Sequence, residues 1–481
     1  MKKILIILSF FLTATSHAQT TVDYFEKIRG NSAALTAFFS QMPKGGDLHH
    51  HYSGSVYAET FFDIAVENNF FINKITLEVL KNKTTTDSAW TDFLSLQKEG
   101  ALPEYKQRLL QQWSAKDYNY ISYPSHRQFF ESFGHFDNAA DMSFDRGLLE
   151  IKQRAKTEQV AYIETMFKTI HCDKPVTDLY PLNEKLEQYQ LKKDILSTDA
   201  LFDSLFMIIE KRNVIDCAIK FNDELTKLHT SLAIDDSLFT MRYQNFVLRF
   251  MNPVQLFTNL VIAFESANRS PLVVGVNIVA PEHDDVSMND YWLHMQMFKY
   301  CHKKFSAVKY SMHAGELALG MVKPEELSWH INAAVFDAKA NRIGHGVDLP
   351  YEKDCYGLLN YMSKNSIPVE INLYSNEFIL KVKDDRHPII LYKTFRVPIV
   401  ISSDDAGVLR SNLTDQYVLL AYRYPNISYP EIKTFVYNSI QYSFIEEPEL
   451  KEKLRLQLDA DFSIFENKMK SALKIHDDIR R

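Results

Sequence analysis

The sequence has little of what marks flexible, fibrous or disulfide-rich proteins. Its 481 residues include 14 glycines, 16 prolines and four cysteines, whereas 46% are hydrophobic. This composition excludes collagen-like, low-complexity and intrinsically disordered chains and predicts a folded, helix-rich body. The cysteines do not predict a metal site, because they lie far apart without a Cys-x-x-Cys pair, and whether any of them form disulfides stays open. They are Cys172, Cys217, Cys301 and Cys355.

The sequence also lacks an excess of positive charge and a long apolar run. It has 54 Lys and Arg against 61 Asp and Glu, a net charge of −7. Nucleic-acid-binding domains show clustered Lys and Arg, so nucleic acid is excluded as a partner. An anionic membrane surface would repel a negative protein, and no apolar run reaches the roughly 20 residues that a spanning helix needs. We therefore expect neither nucleic acid nor membrane as a partner.

The first 18 residues have the layout of a secretory signal peptide. Lys2 and Lys3 precede an apolar run at residues 4–12, and small residues follow up to Ala18. This order of basic, apolar and small-residue regions is typical of a signal that is removed on export. We expect cleavage after Ala18 and an exported mature chain, residues 19–481, in the periplasm or outside the cell. The alternative is a buried N-terminal helix or a membrane anchor.

Short β-branched runs alternate with amphipathic stretches from about residue 155 onward. Such an order predicts a parallel sheet, either in a βα-barrel or in a doubly wound fold. The predicted strands are Gly46–His51, Val160–Thr165, Phe246–Phe250, Val273–Val279, Val308–Met312, Arg342–His345, Pro368–Ile371 and Pro398–Ile401. The helices predicted between them are Val254–Ser266, Asp290–Lys304, Pro324–Ala338 and Tyr356–Ser363. With the upstream candidate included, the strands reach the number that closes a barrel.

Residues 57–136 interrupt this alternation after the first predicted strand. They are rich in helix formers and aromatic residues, among them Trp90 and Trp113. We expect a helical insertion that packs onto the mouth of the barrel; a separate small domain is the alternative. The mature chain is otherwise expected to be one barrel domain.

Histidines and aspartates stand where the predicted strands end. His49 and His51 are two residues apart, so a strand directs both side chains to the same face. His313, His345 and the acidic pair at residues 404–405 each follow another strand. Active sites of parallel barrels are built at this carboxyl edge, which favours a catalytic interpretation over a packing one.

A divalent metal ion accounts for these residue types. Three imidazoles and one carboxylate form a nitrogen-rich shell, which suits zinc better than magnesium or calcium. Water on such an ion becomes a nucleophile near neutral pH, so hydrolysis is the implied reaction class. Glu316, three residues after His313, is the candidate general acid and base; the alternative is a surface carboxylate.

The segments that carry these residues resemble the adenosine deaminase family and occur in the family's order. They are Met42–Ser55, His313–Glu316, Arg342–Gly346 and Ser403–Asp405, with further likeness at Ser375-Asn376, Leu413–Tyr417 and Asn438–Phe444. The secreted adenosine deaminase and growth-factor branch is most similar, since it combines the Met-Pro-Lys-Gly opening with a signal peptide. The resemblance implies a (β/α)8 TIM-type barrel with a helical insertion after the first strand and extra terminal helices. That branch tends to pair through its extra helices, which raises a homodimer as an assembly.

The resemblance also implies a role for each site residue. One zinc ion per chain would be bound by His49, His51, His313 and Asp404. Glu316 would protonate purine N1 and shuttle the leaving proton, while His345 would orient and help deprotonate the attacking water. Asp405 would hydrogen-bond to N7. Attack of a metal-activated hydroxide at C6 would release ammonia and convert adenosine or 2'-deoxyadenosine to inosine or 2'-deoxyinosine.

Two positions depart from the family's pattern at the substrate. Ser53 stands where many members have an aspartate that would meet the ribose, and Ala280 stands where a glycine usually contacts the purine. Pro281 removes a backbone donor from the same loop. These changes leave the predicted metal shell intact, so they predict an altered choice of substrate. The alternatives are a zinc amidohydrolase acting on another aminopurine or modified nucleoside, and a secreted nucleoside-binding or signalling protein.

Overall fold

The computed structural model describes residues 21–82, 87–119, 121, 123–174 and 176–479. The predicted signal peptide and its cleavage site lie outside the described residues. In chain order the strands are β1 (Gly46–His51), β2 (Phe71–Asn73), β3 (Val79–Leu80), β4 (Trp90–Asp92), β5 (Tyr162–Lys168), β6 (Thr240–Leu248), β7 (Val273–Val279), β8 (Ser311–Ala314), β9 (Arg342–His345), β10 (Val369–Ile371) and β11 (Ile399–Ile401).

Two runs of parallel strands make up the barrel. β1, β5, β6 and β7 pair in that order, and β8, β9, β10 and β11 form the second run. Single parallel bridges join the runs at both seams, one between Val276 and Tyr310 and one between His50 and Asp404. At the second seam the Asp404 amide donates to the His49 carbonyl at 2.9 Å. The α/β barrel predicted from the sequence is confirmed.

Helices connect the barrel strands and extend beyond the last one. They comprise residues 21–28, Ser32–Phe39, Tyr52–Ser55, Ala58–Glu67, Phe93–Lys98, Leu102–Gln112, Ser125–Ala140, Phe144–Thr157, Asn183–Lys192, Ile195–Lys211, Asp216–Ser231, Pro253–Arg269, Asp285–Lys304, His330–Phe336, Cys355–Lys364, Leu373–Leu380, Ile389–Thr394, Ala406–Leu409, Leu413–Arg423, Tyr429–Gln441 and Pro448–Ile479. Within the described part of the chain, none is both long and apolar enough to cross a membrane.

The observed bounds equal the predicted ones for three of the barrel strands, β1, β7 and β9, and differ for the other five. β6 begins six residues earlier than predicted. The added part of β6 contains Arg242, Gln244 and Asn245, which are buried polar residues. A strand that turns polar side chains into a barrel has no apolar signature, so periodicity did not reveal it.

The segment between β1 and β5 combines helices with a small antiparallel sheet that the sequence did not predict. In this sheet β2 lies between β3 and β4. The segment lies on loops that follow barrel strands: the Ala115 amide donates to the Val408 carbonyl at 2.7 Å. Farther along, Lys381 donates to the Ser125 hydroxyl at 3.2 Å. The helix Ser125–Ala140 therefore stands at the carboxyl edge of the barrel.

One disulfide settles part of the cysteine question that the sequence left open. Cys172, after β5, is bonded to Cys217 in the helix Asp216–Ser231. Cys301 and Cys355 are free thiols, the first of them buried. The disulfide joins two residues that are 45 positions apart, so it connects the segment that follows β5 to this helix.

Candidate active site

Four side chains from the carboxyl edge of the barrel converge on one point. His51 Nε2 lies 3.2 Å from His313 Nε2 and 3.3 Å from Asp404 Oδ1. His49 Nε2 lies 3.5 Å from the same Asp404 oxygen. The first two histidines belong to β1, His313 belongs to β8, and Asp404 follows β11. The structure thus brings the histidines of β1 together with Asp404, which lies more than 350 positions later in the chain.

The strand alternation of β1 explains which histidines converge. His49 and His51 point to the same side, and their ring centroids are 5.4 Å apart. His50 points the other way, where its Nδ1 lies 3.0 Å from the Thr165 hydroxyl. The middle histidine of the run is therefore no part of the cluster.

The chemistry of this cluster fits a metal ion. His49 Nε2 is buried and has no hydrogen-bond partner among the described residues. Burial lowers the pKa of His51 to about 4 and the pKa of His313 well below its usual value, so both rings are neutral, as metal ligands must be. Neutral imidazole nitrogens that face one another and a carboxylate, without protons to share, form a nitrogen-rich shell. The group is suited to a single ion of the zinc type.

Backbone strain marks the same edge. Asp404 has φ +61° and His345 has φ +68°, a left-handed conformation that residues other than glycine seldom adopt. Such conformations cost roughly 1–3 kcal/mol each and collect at functional sites. At Gly54 the constraint is space and not backbone conformation, because a Cβ there would lie 1.6 Å from Asp405 Oδ1.

Glu316 lies beside His345 in a closed environment. Its Oε1 is 3.8 Å from His345 Nε2, and the side chain is almost completely buried. Burial, together with the negative charges of Asp404 and Glu282, raises the pKa of Glu316 well above its usual value. Glu282 accepts hydrogen bonds from the amides of Gly315 and Glu316 at 3.1 and 2.8 Å. The loop that carries Glu316 is thereby fixed in position, and the raised pKa favours the protonated form of its carboxyl group.

The residues predicted to meet the substrate lie around the same centre. Asp405 is buried, and burial beside Asp404 raises its pKa well above the usual value. Ser53 is half-buried and precedes Gly54, against which Asp405 packs. Ala280 is half-buried at the end of β7 and has φ +86°. Ala280 therefore keeps a backbone conformation that favours glycine, at the cost of strain.

Replacing Ala280 with glycine is expected to raise the free energy of unfolding by about 0.5–1 kcal/mol. Relief of left-handed strain is worth roughly 1–2 kcal/mol, which exceeds the roughly 0.5–1 kcal/mol lost to the freer unfolded chain. Urea unfolding of both proteins measures the difference. Ala267→Gly in the helix Pro253–Arg269 is the control and is expected to lower stability by about 1 kcal/mol. A fall of the same size for Ala280→Gly would contradict the strain.

A chain of buried polar side chains beneath the cluster was not predicted from the sequence. His49 Nδ1 lies 2.6 Å from Glu370 Oε2, and Arg342 Nε donates to Glu370 Oε1 at 2.5 Å. The other end of the same guanidinium donates to Glu164 Oε2 at 2.7 Å. Single charged residues inside apolar strands, such as Glu370 in β10, were the available signal.

The chain of polar contacts continues to β8, the strand that carries His313. Gln244 donates to Glu164 at 3.2 Å, and Asn277 donates to Gln244 at 3.3 Å. Asn277 Oδ1 lies 3.0 Å from His313 Nδ1. In both His49 and His313, Nδ1 therefore has a hydrogen-bond partner on the side away from the cluster, and this contact directs Nε2 toward the cluster.

The family model described as Adenosine deaminase matches residues 233–460. The match covers just under half of the chain, and over these residues the predicted resemblance to the adenosine deaminase family is confirmed. A curated member, the adenosine deaminase of Clostridium perfringens (strain SM101 / Type A), is 29% identical over 154 residues, 32% of this chain and 42% of that protein. The chain spans about two fifths of the length of the first curated relatives that it matches. The closer resemblance to the secreted growth-factor branch stays a prediction.

Solved structures share the fold of this chain. The apo structure of the N6-methyl-AMP deaminase from Arabidopsis thaliana has a TM-score of 0.54 at 18% identity, covering 88% of this chain and 98% of that one. An amidohydrolase from Burkholderia ambifaria, solved with bound zinc, has a TM-score of 0.53 at 15% identity, covering 91% and 94%. At these identities the likeness establishes the barrel fold.

Proposed function

We propose that the protein is a zinc-dependent deaminase whose main substrate is adenosine or 2'-deoxyadenosine. The observation that carries the proposal is the convergence of three imidazoles and a carboxylate beside a buried, proton-bearing Glu316. The match to the adenosine deaminase family model over residues 233–460 supports the reaction class, and the zinc bound by a structural neighbour supports the metal.

The proposed roles are those that the resemblance to the adenosine deaminase family implies, and the distances within the site are compatible with them. His49, His51, His313 and Asp404 would hold the ion, which when bound makes water nucleophilic near neutral pH. Glu316 delivers its proton to purine N1 and thereby leaves C6 electron-poor. Burial beside Asp404 raises the pKa of Asp405, which favours the protonated form, and in that form Asp405 donates a hydrogen bond to a ring nitrogen such as N7. The buried setting excludes bulk water and strengthens each of these interactions.

A second candidate is the same chemistry on a modified or phosphorylated aminopurine. Ser53 and Ala280 replace residues that are frequent in the family, and a structural neighbour is an N6-methyl-AMP deaminase. Hydrogen-bond donors also stand at the mouth, where Lys381 contacts the start of the helix that carries His126. The rings of His126 and His283 are 5.3 Å apart, and burial lowers the pKa of both, which favours their neutral forms. Such groups suit a substrate that carries a phosphate.

Export after cleavage near Ala18 is part of the proposal. The disulfide between Cys172 and Cys217 supports it, because disulfides form and persist in oxidising compartments. A homodimer through the additional helices stays a prediction.

Ultraviolet monitoring of nucleoside turnover by the purified, zinc-loaded mature protein tests the proposal. The panel contains adenosine, 2'-deoxyadenosine, adenine, AMP and N6-methyl-AMP. We expect the largest kcat/KM for adenosine or 2'-deoxyadenosine. Turnover confined to AMP or N6-methyl-AMP would contradict adenosine as the main substrate and favour the second candidate, a deaminase of modified or phosphorylated aminopurines. If no substrate in the panel is turned over, the proposed deaminase activity is contradicted, and the nucleoside-binding or signalling protein remains as the alternative.

A further inference from the structure

A backbone amide determines the protonation of a buried histidine next to the site. The Ile389 N–H donates to His387 Nδ1 at 3.2 Å. A backbone N–H has no acceptor capacity, so His387 Nδ1 must be the unprotonated ring nitrogen. Burial lowers the pKa of His387 to about 3, so the ring is neutral near pH 7 and its hydrogen resides on Nε2.

The assignment passes through Asn376 to His345. His387 Nε2 lies 3.0 Å from Asn376 Oδ1, so its N–H donates to the amide oxygen. This fixes the orientation of the amide and leaves Asn376 Nδ2 facing His345 Nδ1 at 2.9 Å. Since the amide nitrogen donates, His345 Nδ1 accepts. The amide of Asn372 is farther from this nitrogen, at 3.5 Å.

We propose that Asn376 and His387 are positioning residues that hold His345 in the tautomer with hydrogen on Nε2. This N–H lies 3.8 Å from Glu316 Oε1 and 3.8 Å from Asp404 Oδ2, so it faces the space where the reacting oxygen must lie. His345 then meets that oxygen as a hydrogen-bond donor. A ring nitrogen that carries its hydrogen has no lone pair with which to take a proton from water.

The consequence for the reaction rests on the proposed function and corrects the expectation that His345 helps deprotonate the water. Glu316 first gives its proton to N1 and becomes a carboxylate. As the water oxygen bonds to C6, one O–H bond breaks and that proton returns to Glu316. The second water proton leaves with the amino group as ammonia while the C6 carbonyl forms. Protons balance without any transfer to His345.

Nitrogen-15 NMR of the zinc-loaded mature protein, labelled at histidine, reads the tautomer directly. Comparison with His345→Gln assigns the His345 signals. We expect a protonated Nε2 and an unprotonated Nδ1. In Asn376→Asp the carboxylate can only accept a hydrogen bond from His345 Nδ1. We therefore expect the reverse pattern in this variant, with a protonated Nδ1 and an unprotonated Nε2. The reversed tautomer removes the donor, and we expect kcat to fall by roughly 10²- to 10⁴-fold, the range for a misoriented catalytic histidine.

Matched variants separate positioning from a general loss of stability. Asn245→Asp buries a carboxylate in place of an amide that is equally buried but contacts Ser266, away from His345. We expect it to lower stability while keeping the wild-type tautomer. The glutamine of His387→Gln can accept a hydrogen bond from the Ile389 amide and donate one to Asn376. We therefore expect the His345 tautomer and kcat of this variant to stay closer to those of the wild type than in His387→Leu.

An unprotonated Nε2 in the wild-type protein would overturn the proposal. A reversed pattern in His345 that also occurs in Asn245→Asp would overturn it as well, as would an unchanged pattern in folded Asn376→Asp. If Asn376→Asp does not fold, the wild-type spectrum and the two His387 variants decide. The expected tautomer in a protein that turns over no aminopurine would contradict the proposed function and leave the assignment of Asn376 and His387 intact.

Discussion

Replacing Glu316 with glutamine is expected to lower kcat for adenosine by about 10³-fold, within the range of roughly 10²- to 10⁴-fold for general acid–base groups. The amide has the shape of the carboxyl group but cannot transfer its proton. Because Glu282 binds the backbone amide of residue 316, the loop should keep its position in the variant. Zinc content should stay that of the wild type, since Glu316 lies outside the converging group.

Steady-state kinetics, zinc analysis and thermal unfolding of the purified protein measure these effects together. Glu325→Gln is the matched control, because this exposed residue lies on the segment after the same strand. We expect the control to resemble the wild type in all three measurements. A kcat for Glu316→Gln within tenfold of the wild type would exclude Glu316 as the proton donor.

The sequence predicted the convergence of His49, His51, His313 and Asp404 because these residues obey local rules. His49 and His51 are related by strand alternation, and His313 and His345 lie at or next to the last residue of a short strand. Parallel strands bring their carboxyl ends to one edge, so distant residues meet there without any knowledge of detailed packing. For the same reason β7 and β9 were predicted with their observed bounds.

The sequence did not predict the groups that orient these residues, because their partners depend on closure of the barrel. Arg342 contacts Glu164 across 178 positions, and Glu370 contacts His49 across 321. No local pattern specifies such pairs. The polar start of β6 was missed for a related reason, since its side chains are satisfied by other strands inside the barrel.

Substitutions in the histidine run of β1 test both the metal site and the strand alternation. His51→Ala removes one converging nitrogen, so we expect loss of zinc and of nearly all turnover. His50→Gln alters the neighbouring side chain, which contacts Thr165 on the opposite face, and should keep zinc and turnover at some cost in stability. Zinc analysis and kinetics of the two variants measure the contrast.

Removal of the metal from the wild-type protein should reproduce the effect of His51→Ala. A chelator is expected to abolish turnover and to lower the free energy of unfolding by about 4 kcal/mol relative to protein at a zinc concentration 1,000 times the dissociation constant. Zinc should restore both properties in the wild type and in His50→Gln, but not in His51→Ala, because only the latter lacks a ligand. Equal losses in the two variants would mean that the run acts through the stability of β1, and full zinc binding by His51→Ala would exclude this residue from the metal site.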